Sequence, residues 1–124
     1  MSMLIPPSLL RKVYLTGSLV NGPQGFSFTL KNTIARGTLQ GLAALAIDGE
    51  EIPVGQVKLE REGEVTAADA ITPAAPWVFP VNTPVQVTIA GKNLSPGEHA
   101  LKVGLTLKEL GSIVLEVRDT LVGE

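Results

Sequence analysis

Apolar residues recur at every second position through the C-terminal part of the chain, from Pro84 to Val117. This is the period of a β-strand with one buried face, whereas an amphipathic helix needs apolar spacings of three and four. Polar residues stand between them, so we expect the opposite face to meet water. The apolar positions form three groups, which are Val85, Val87 and Ile89, then Leu101, Val103, Leu105 and Leu107, then Ile113, Leu115 and Val117. The pattern predicts a β meander.

A turn signal separates the first two of these strands, within residues 93–99. Pro96 presets φ for the first central position of a turn, and Gly97 tolerates the positive φ that follows in a type II geometry. Because this signal lies between two alternating segments, it predicts a hairpin.

Three more segments upstream carry strand signals. Residues 10–16 and 25–31 alternate between apolar and polar side chains. Residues 41–47 are rich in Ala and Leu and would suit a helix by propensity, but Asp48-Gly49 follows directly, and this pair is a strong hairpin signal. We therefore expect a strand pair there.

The chain of 124 residues fits one domain, 1–124, and its sequence contains no convincing long helix. Short alternating segments between Gly, Pro, Asn and Asp turns predict an all-β, antiparallel β-sandwich with an immunoglobulin-like arrangement. We expect residues 1–9 to form an extended N-terminal arm. Residues 66–83 are rich in Ala, Thr and Pro and predict a long irregular loop, with a possible helical turn over Thr66–Ala70 capped by Thr66 or Asp69.

Composition narrows the functional classes. The formal net charge of −2 provides no basic field for nucleic acid or an anionic membrane. No apolar run approaches the ~20 residues of a membrane helix. Cysteine is absent, which removes disulfides and thiolate chemistry and suits a cytoplasmic location.

Catalytic residues are scarce. His99 is the single histidine, so His-paired and Cys-His metal motifs are excluded within one chain. No nucleophile elbow accompanies it, and a cross-strand or surface role is the more ordinary interpretation. The acidic residues of the Asp48 and Glu62 regions are best explained as solvated hairpin turns. Trp77 and Phe79 would either anchor a partner or cap the sandwich core.

A set of short motifs occurs in an order that resembles the small β subunit of C-glycoside deglycosidases. The motifs are Gly25-Phe26-Ser27-Phe28, Ala35-Arg36-Gly37, Asp48-Gly49-Glu50-Glu51-Ile52-Pro53, Trp77-Val78-Phe79 and Leu94-Ser95-Pro96-Gly97-Glu98-His99-Ala100-Leu101-Lys102-Val103. The resemblance implies a non-catalytic β-sandwich subunit that stabilises a larger barrel-fold α subunit in a carbon–carbon lyase acting on 3-oxo-C-glycosides. It further implies no cofactor in this chain, with Mn²⁺ or another divalent metal held by the α subunit.

On this resemblance, three residues are candidates for the partner interface: Arg36, Trp77 and His99. Arg36 would form charge-assisted hydrogen bonds, Trp77 would bury its ring, and His99 would hydrogen-bond at the turn. The alternative from another class is a self-associating structural or carbohydrate-binding sandwich that acts alone. Carbohydrate-binding modules commonly present several exposed aromatics for stacking on sugar rings. Only Trp77 and Tyr14 are obvious candidates in this sequence, which counts against that alternative.

Overall fold

A computed structural model describes residues 11–34 and 36–121. Within these ranges the chain is almost entirely β, which confirms the predicted antiparallel β-sandwich. Short 3₁₀ helices occupy Val54–Gln56 and Ala68–Ala70. The strands are β1 (Val20–Asn21), β2 (Gly25–Lys31), β3 (Gly37–Ile47), β4 (Glu50–Glu51), β5 (Val57–Arg61), β6 (Glu64–Ala67), β7 (Trp77–Phe79), β8 (Pro84–Ala90), β9 (Gly97–Leu107) and β10 (Gly111–Leu121).

The strands form two antiparallel sheets. The first sheet has the order β1-β2-β8-β5-β6, and the second has the order β10-β9-β3-β4. β7 pairs with the beginning of β3, along the same edge that β4 covers at the end of β3. The long strands β9 and β10 pair over their full length and form the most extensive ladder of the second sheet.

The core lies between the two sheets and is filled by the inward side chains of both. Phe28 and Ile89 contribute from the first sheet and Leu101 and Leu115 from the second, each at most 2% exposed. Each such side chain contributes about 1.5–3 kcal/mol of burial free energy. The alternation of apolar and polar residues in the sequence therefore reflects that each of these strands buries one face.

Two hairpins have turns with the same backbone conformation. The β3–β4 turn places Asp48 at φ 53° and Gly49 at φ 84°, and the β5–β6 turn places Glu62 at φ 52° and Gly63 at φ 83°. Two consecutive positive φ values are typical of the two-residue type I′ turn, whose twist matches that of the strands. The Asp48-Gly49 hairpin, and the strand before it, are confirmed.

The predicted meander is wrong at its first connection. β8 lies in the first sheet between β2 and β5, whereas β9 lies in the second sheet. Residues 91–96 thus cross from one sheet to the other, and of the three strands in the predicted meander β9 and β10 alone form a hairpin. A turn signal and a period of two are local properties, so they do not say which sheet receives the next strand.

The structure also differs from the predictions for residues 10–16 and 66–83. Residues 11–16 form no regular strand, and Tyr14 makes a single bridge to Leu30 of β2. Residues 66–83 contain the end of β6, the second 3₁₀ helix and β7, and Ala67 precedes that helix without a side-chain cap. The predicted caps Thr66 and Asp69 are therefore wrong. The predicted arm, residues 1–9, lies outside the described residues.

Candidate functional site

The candidate residues do not meet in one place. Arg36 directly precedes β3, and Trp77 lies in β7, which pairs with the first residues of β3. His99 lies near the far end, because Asp48, which follows the last residue of β3, is its hydrogen-bond partner. β3 has 11 residues, so the two ends are roughly 35 Å apart at the rise of a strand. We consider the ends separately.

His99 is part of a side-chain clamp at the β3–β4 turn. Its Nδ1 lies 2.5 Å from Oδ2 of Asp48, and its Nε2 lies 2.7 Å from the carbonyl oxygen of Ser95. The second carboxylate oxygen of Asp48 accepts the backbone N–H of Ala100 at 2.8 Å. These contacts connect the turn after β3, the crossing segment after β8 and the start of β9, so we name Asp48, Ser95 and His99 the histidine clamp.

Both ring nitrogens of His99 act as donors. A carbonyl oxygen only accepts, so Nε2 carries a proton, and an ionised Asp48 accepts a hydrogen bond from a second proton on Nδ1. The hydrogen bond to Asp48 and then that to Ser95 raise the pKa of His99 above its usual 6.5. The hydrogen bond from His99, followed by that from Ala100, lowers the pKa of Asp48. These contacts favour the protonated imidazole, and because both ring nitrogens are engaged by Asp48 and Ser95, neither is available to a substrate proton or a metal ion.

A second clamp lies beside the first and was missed by the sequence reasoning. Asp119 of β10 is 6% exposed, and its Oδ2 accepts the Tyr14 hydroxyl at 2.6 Å and the Gly17 N–H at 2.9 Å. The N–H groups of Leu19 and Thr120 also donate to its carboxylate, at 3.3 and 2.9 Å. The aspartate clamp, as we name this set, fastens residues 14–19 to the last strand.

Hydrogen bonding outweighs burial at Asp119. Burial alone would raise its pKa, but the donors, led by the Tyr14 hydroxyl, hold the pKa below the usual 3.8. The pKa of Tyr14 is raised, first by burial and then by its hydrogen bond to Asp119. One signal in the sequence pointed to this residue. Asp119 continues the inward-facing series of Leu115 and Val117, and a carboxylate at a buried position is unfavourable unless hydrogen bonds or an ion pair compensate its charge.

Trp77 is a buried residue of this chain. It is 7% exposed, and the guanidinium of Arg61 lies 4.2 Å from its ring centroid in a cation–π contact. Arg61 also donates to the carbonyl oxygen of Val78 and, at 3.4 Å, to Glu64. Within the described ranges, the indole Nε1 of Trp77 has no acceptor. Of the two interpretations of Trp77 and Phe79, the geometry favours the core, since both are buried; a partner role for Trp77 stays a prediction.

Arg36 lies at the opposite end from the histidine clamp and is exposed. Across residues 11–34 and 36–121 its guanidinium has no hydrogen bond or ion pair. Two exposed apolar side chains accompany it: Ile34 is 36% exposed, and Val81, which bridges to Asn32, is 42% exposed. We name Ile34, Arg36 and Val81 the Arg36 patch.

In the part of the chain that the structure describes, no three His, Asp or Glu side chains are grouped closely enough to bind a metal ion. The same residues include no helix with the length and apolarity to cross a membrane.

The structure thus defines a β-sandwich domain in which His99 and Asp119, both buried, connect the domain's own loops and strands. A family model described as the hydroxymethylglutaryl-CoA reductase N-terminal domain matches residues 9–122. The match covers nearly the whole chain, and the chain belongs to this family. No curated protein matches the sequence.

The family match overturns the resemblance to C-glycoside deglycosidase β subunits. It also removes the lyase function expected from that resemblance and gives no support to the stand-alone carbohydrate-binding or structural module. The physical reason lies in the motifs. Asp48-Gly49 and Pro96-Gly97 occupy turns or a sheet crossing, and Gly25 and Trp77 begin strands. Such residues are set by backbone geometry and recur in unrelated sandwiches.

Proposed function

We propose that this chain is a non-catalytic domain that binds a reductase catalytic domain through the Arg36 patch. The observation that carries the proposal is the exposed Arg36, whose guanidinium is unpaired among the described residues. Two exposed apolar residues lie near it in the fold: Ile34 precedes it by two residues, and Val81 follows by two residues the strand partner of Gly37. Arginine beside apolar contacts is typical of the centre of a protein interface. The family description supplies the partner, because it names an N-terminal domain of hydroxymethylglutaryl-CoA reductase.

Hydrogen bonds hold the patch in shape. The side-chain amide of Asn32 donates to the Phe79 carbonyl oxygen at 3.3 Å, and its oxygen accepts the Ile34 N–H at 3.0 Å. The backbone carbonyl oxygen of Asn32 accepts the Asn82 N–H at 2.7 Å. A surface fixed in advance loses less conformational entropy on binding, which favours its use as an interface.

The non-catalytic part of the proposal depends on His99. General acid–base catalysis needs a group that can exchange a proton with a substrate. Both nitrogens of His99 are occupied by Asp48 and Ser95, and the ring is 7% exposed. Asp119 is equally enclosed by its donors.

The test is binding to the reductase catalytic domain from the same organism, measured by isothermal titration calorimetry with the whole chain. We expect a stoichiometric complex that Arg36→Ala weakens at least tenfold. Arg118→Ala is the matched control, because Arg118 is an exposed arginine of the second sheet near the opposite end, and it should change the affinity less than twofold.

Two results would overturn the proposal. The first is the absence of a complex at concentrations where both proteins are folded. The second is an equal loss of affinity in the Arg36 and Arg118 variants, which would indicate a general charge effect in place of a specific patch. Reductase turnover by this chain alone would contradict its non-catalytic role.

A further inference from the structure

A cleft of about 530 Å³ opens on the second sheet, at the end that carries the histidine clamp. Small residues leave the space, since Ala46, Gly49 and Ala100 lie among its lining residues. Three longer cationic side chains also line the cleft, namely those of Arg11, Lys102 and Arg118, and the remaining lining residues are Leu101, Glu116 and Val117. The cleft thus combines small residues, which leave room for a ligand, with three cationic side chains.

Strand register explains how the cations come together. Lys102 of β9 is paired with Ala46 of β3 on one side and with Glu116 of β10 on the other. Arg118 follows Glu116 by two residues and therefore points to the same face of the sheet. Two cations on neighbouring strands at diagonal positions lie roughly 7–8 Å apart at their Cα atoms. Two long side chains at such diagonal positions can both reach a ligand that lies between them.

The local charge contrasts with that of the chain. Three cationic side chains and one acidic side chain, Glu116, line the cleft, whereas the whole chain carries a formal net charge of −2. A concave surface concentrates the field of the charges that line it, so an anion near this protein is drawn to this cleft.

The cations are only partly neutralised by the protein itself. Lys102 Nζ lies 4.0 Å from Glu116, beyond hydrogen-bond distance, and Arg118 gives one hydrogen bond of 3.1 Å to Glu98. The guanidinium of Arg11 has no partner within the described ranges. Exposed ion pairs of this kind contribute little to stability, so a multivalent anion can displace the carboxylates at little cost.

We propose that this cleft binds a small organic anion with two or more phosphate or carboxylate groups. Its volume falls within the roughly 300–1,000 Å³ of small-molecule sites. A guanidinium donates two parallel hydrogen bonds to a phosphate or carboxylate, and the ammonium of Lys102 adds a point charge. Several anionic groups on one ligand engage several cations together, which a single carboxylate cannot do. The inference does not depend on the proposed function, because the Arg36 patch lies at the other end of β3.

The experiment is a titration of the whole ¹⁵N-labelled chain with pyrophosphate, citrate and acetate, followed by amide chemical shifts. We expect pyrophosphate or citrate to shift the amides of residues 46–49, 100–102 and 116–118 and to bind at least tenfold more tightly than acetate. The affinity should fall at least fivefold between low and physiological salt, because screening is stronger there. A response to pyrophosphate alone identifies a phosphate ligand, and a response to citrate alone identifies a carboxylate ligand.

Matched variants localise the site. Lys102→Gln and Arg118→Gln should each weaken binding at least fivefold. Lys58→Gln is the control, since Lys58 is an exposed lysine on β5 of the other sheet, and it should change the affinity less than twofold. All these positions are exposed, so the variants should keep the unfolding midpoint of the parent chain.

The proposal is overturned if neither multivalent anion shifts the named amides, or if acetate binds as tightly as they do. An equal loss in the Lys58 and Lys102 variants also overturns it, because it would show attraction by overall charge. None of these results bears on the Arg36 patch, so the two proposals fail independently.

Discussion

The two clamps occupy the same rung of the β9–β10 ladder and yet are built from opposite principles. His99 and Asp119 are directly paired across the strands, and both are buried. Each nevertheless bonds away from the other: His99 to Asp48, and Asp119 to Tyr14 and three backbone N–H groups. The histidine clamp joins two titratable groups, whereas the aspartate clamp surrounds one charge with neutral donors.

The two clamps also differ in the solvent exposure of their carboxylates, and this affects how each contributes to stability. The side chain of Asp48 is 49% exposed, so solvent screens its attraction for His99. Asp119 is enclosed, and removal of its carboxylate would leave several buried donors without acceptors. We therefore expect the aspartate clamp to contribute more to the free energy of unfolding. We expect the contribution of the histidine clamp to be smaller and to depend on pH.

Asp119→Ala should cause the largest loss of stability. It leaves the buried Tyr14 hydroxyl and Leu19 N–H without their acceptor, whereas the exposed Gly17 can turn to water. Unsatisfied buried donors cost about 1–3 kcal/mol each without simple additivity. We expect the free energy of unfolding to fall by about 3–5 kcal/mol in urea denaturation at neutral pH. Glu116→Ala, an exposed acid on the same strand, should stay within about 0.5 kcal/mol. A loss below about 1 kcal/mol at Asp119 would show that the donors find other partners.

His99→Gln should have a smaller effect that depends on pH. Because the folded pKa of His99 is raised, its stabilisation is fully present below the usual 6.5 and is lost as pH rises through the folded value. The lowered pKa of Asp48 contributes above 3.8 and is lost as pH falls through its folded value. The parent chain should therefore lose stability above neutral pH, and His99→Gln should abolish that decline.

Urea denaturation at several pH values between about 6 and 9 measures this effect. At pH 6 the variant should be less stable than the parent by about 1–3 kcal/mol, the usual range for hydrogen bonds to charged groups. Asp119 and Tyr14 do not contribute in this interval, since the pKa of Asp119 lies below 3.8 and that of Tyr14 above 10. An identical slope in parent and variant would contradict the assignment to His99.

Tyr14→Phe sharpens the comparison because it removes one neutral donor and leaves the charge of Asp119. The hydroxyl donates at 2.6 Å, and the backbone donors of Gly17, Leu19 and Thr120 remain. We expect a loss of about 0.5–1.5 kcal/mol, with the decline between pH 6 and 9 unchanged from the parent. A pH slope that changes with this variant would mean that the two clamps are coupled through the β9–β10 rung.

The clamps also show which parts of the structure could be predicted from the sequence. The range of β2 and the Asp48-Gly49 hairpin follow from alternation and turn chemistry, both of which are local. The partners of the clamps are 51 residues apart for Asp48 and His99 and 105 apart for Tyr14 and Asp119. Those contacts depend on β8 and β9 entering different sheets, which local patterns do not determine. The inward position of Asp119 was the one local sign of a buried, satisfied acid.

Arg36→Ala should have the smallest effect on folding, because Arg36 belongs to neither clamp and has no partner among the described residues. Exposed side chains away from caps and networks change stability by about 0.5 kcal/mol or less. Urea denaturation should therefore give the parent midpoint and slope, while binding of the reductase catalytic domain is weakened at least tenfold. Stability and binding are thus expected to separate: the clamps hold the sandwich together, and the Arg36 patch serves the partner. A loss of stability above about 1 kcal/mol in Arg36→Ala would place Arg36 inside the fold and remove the basis for that division.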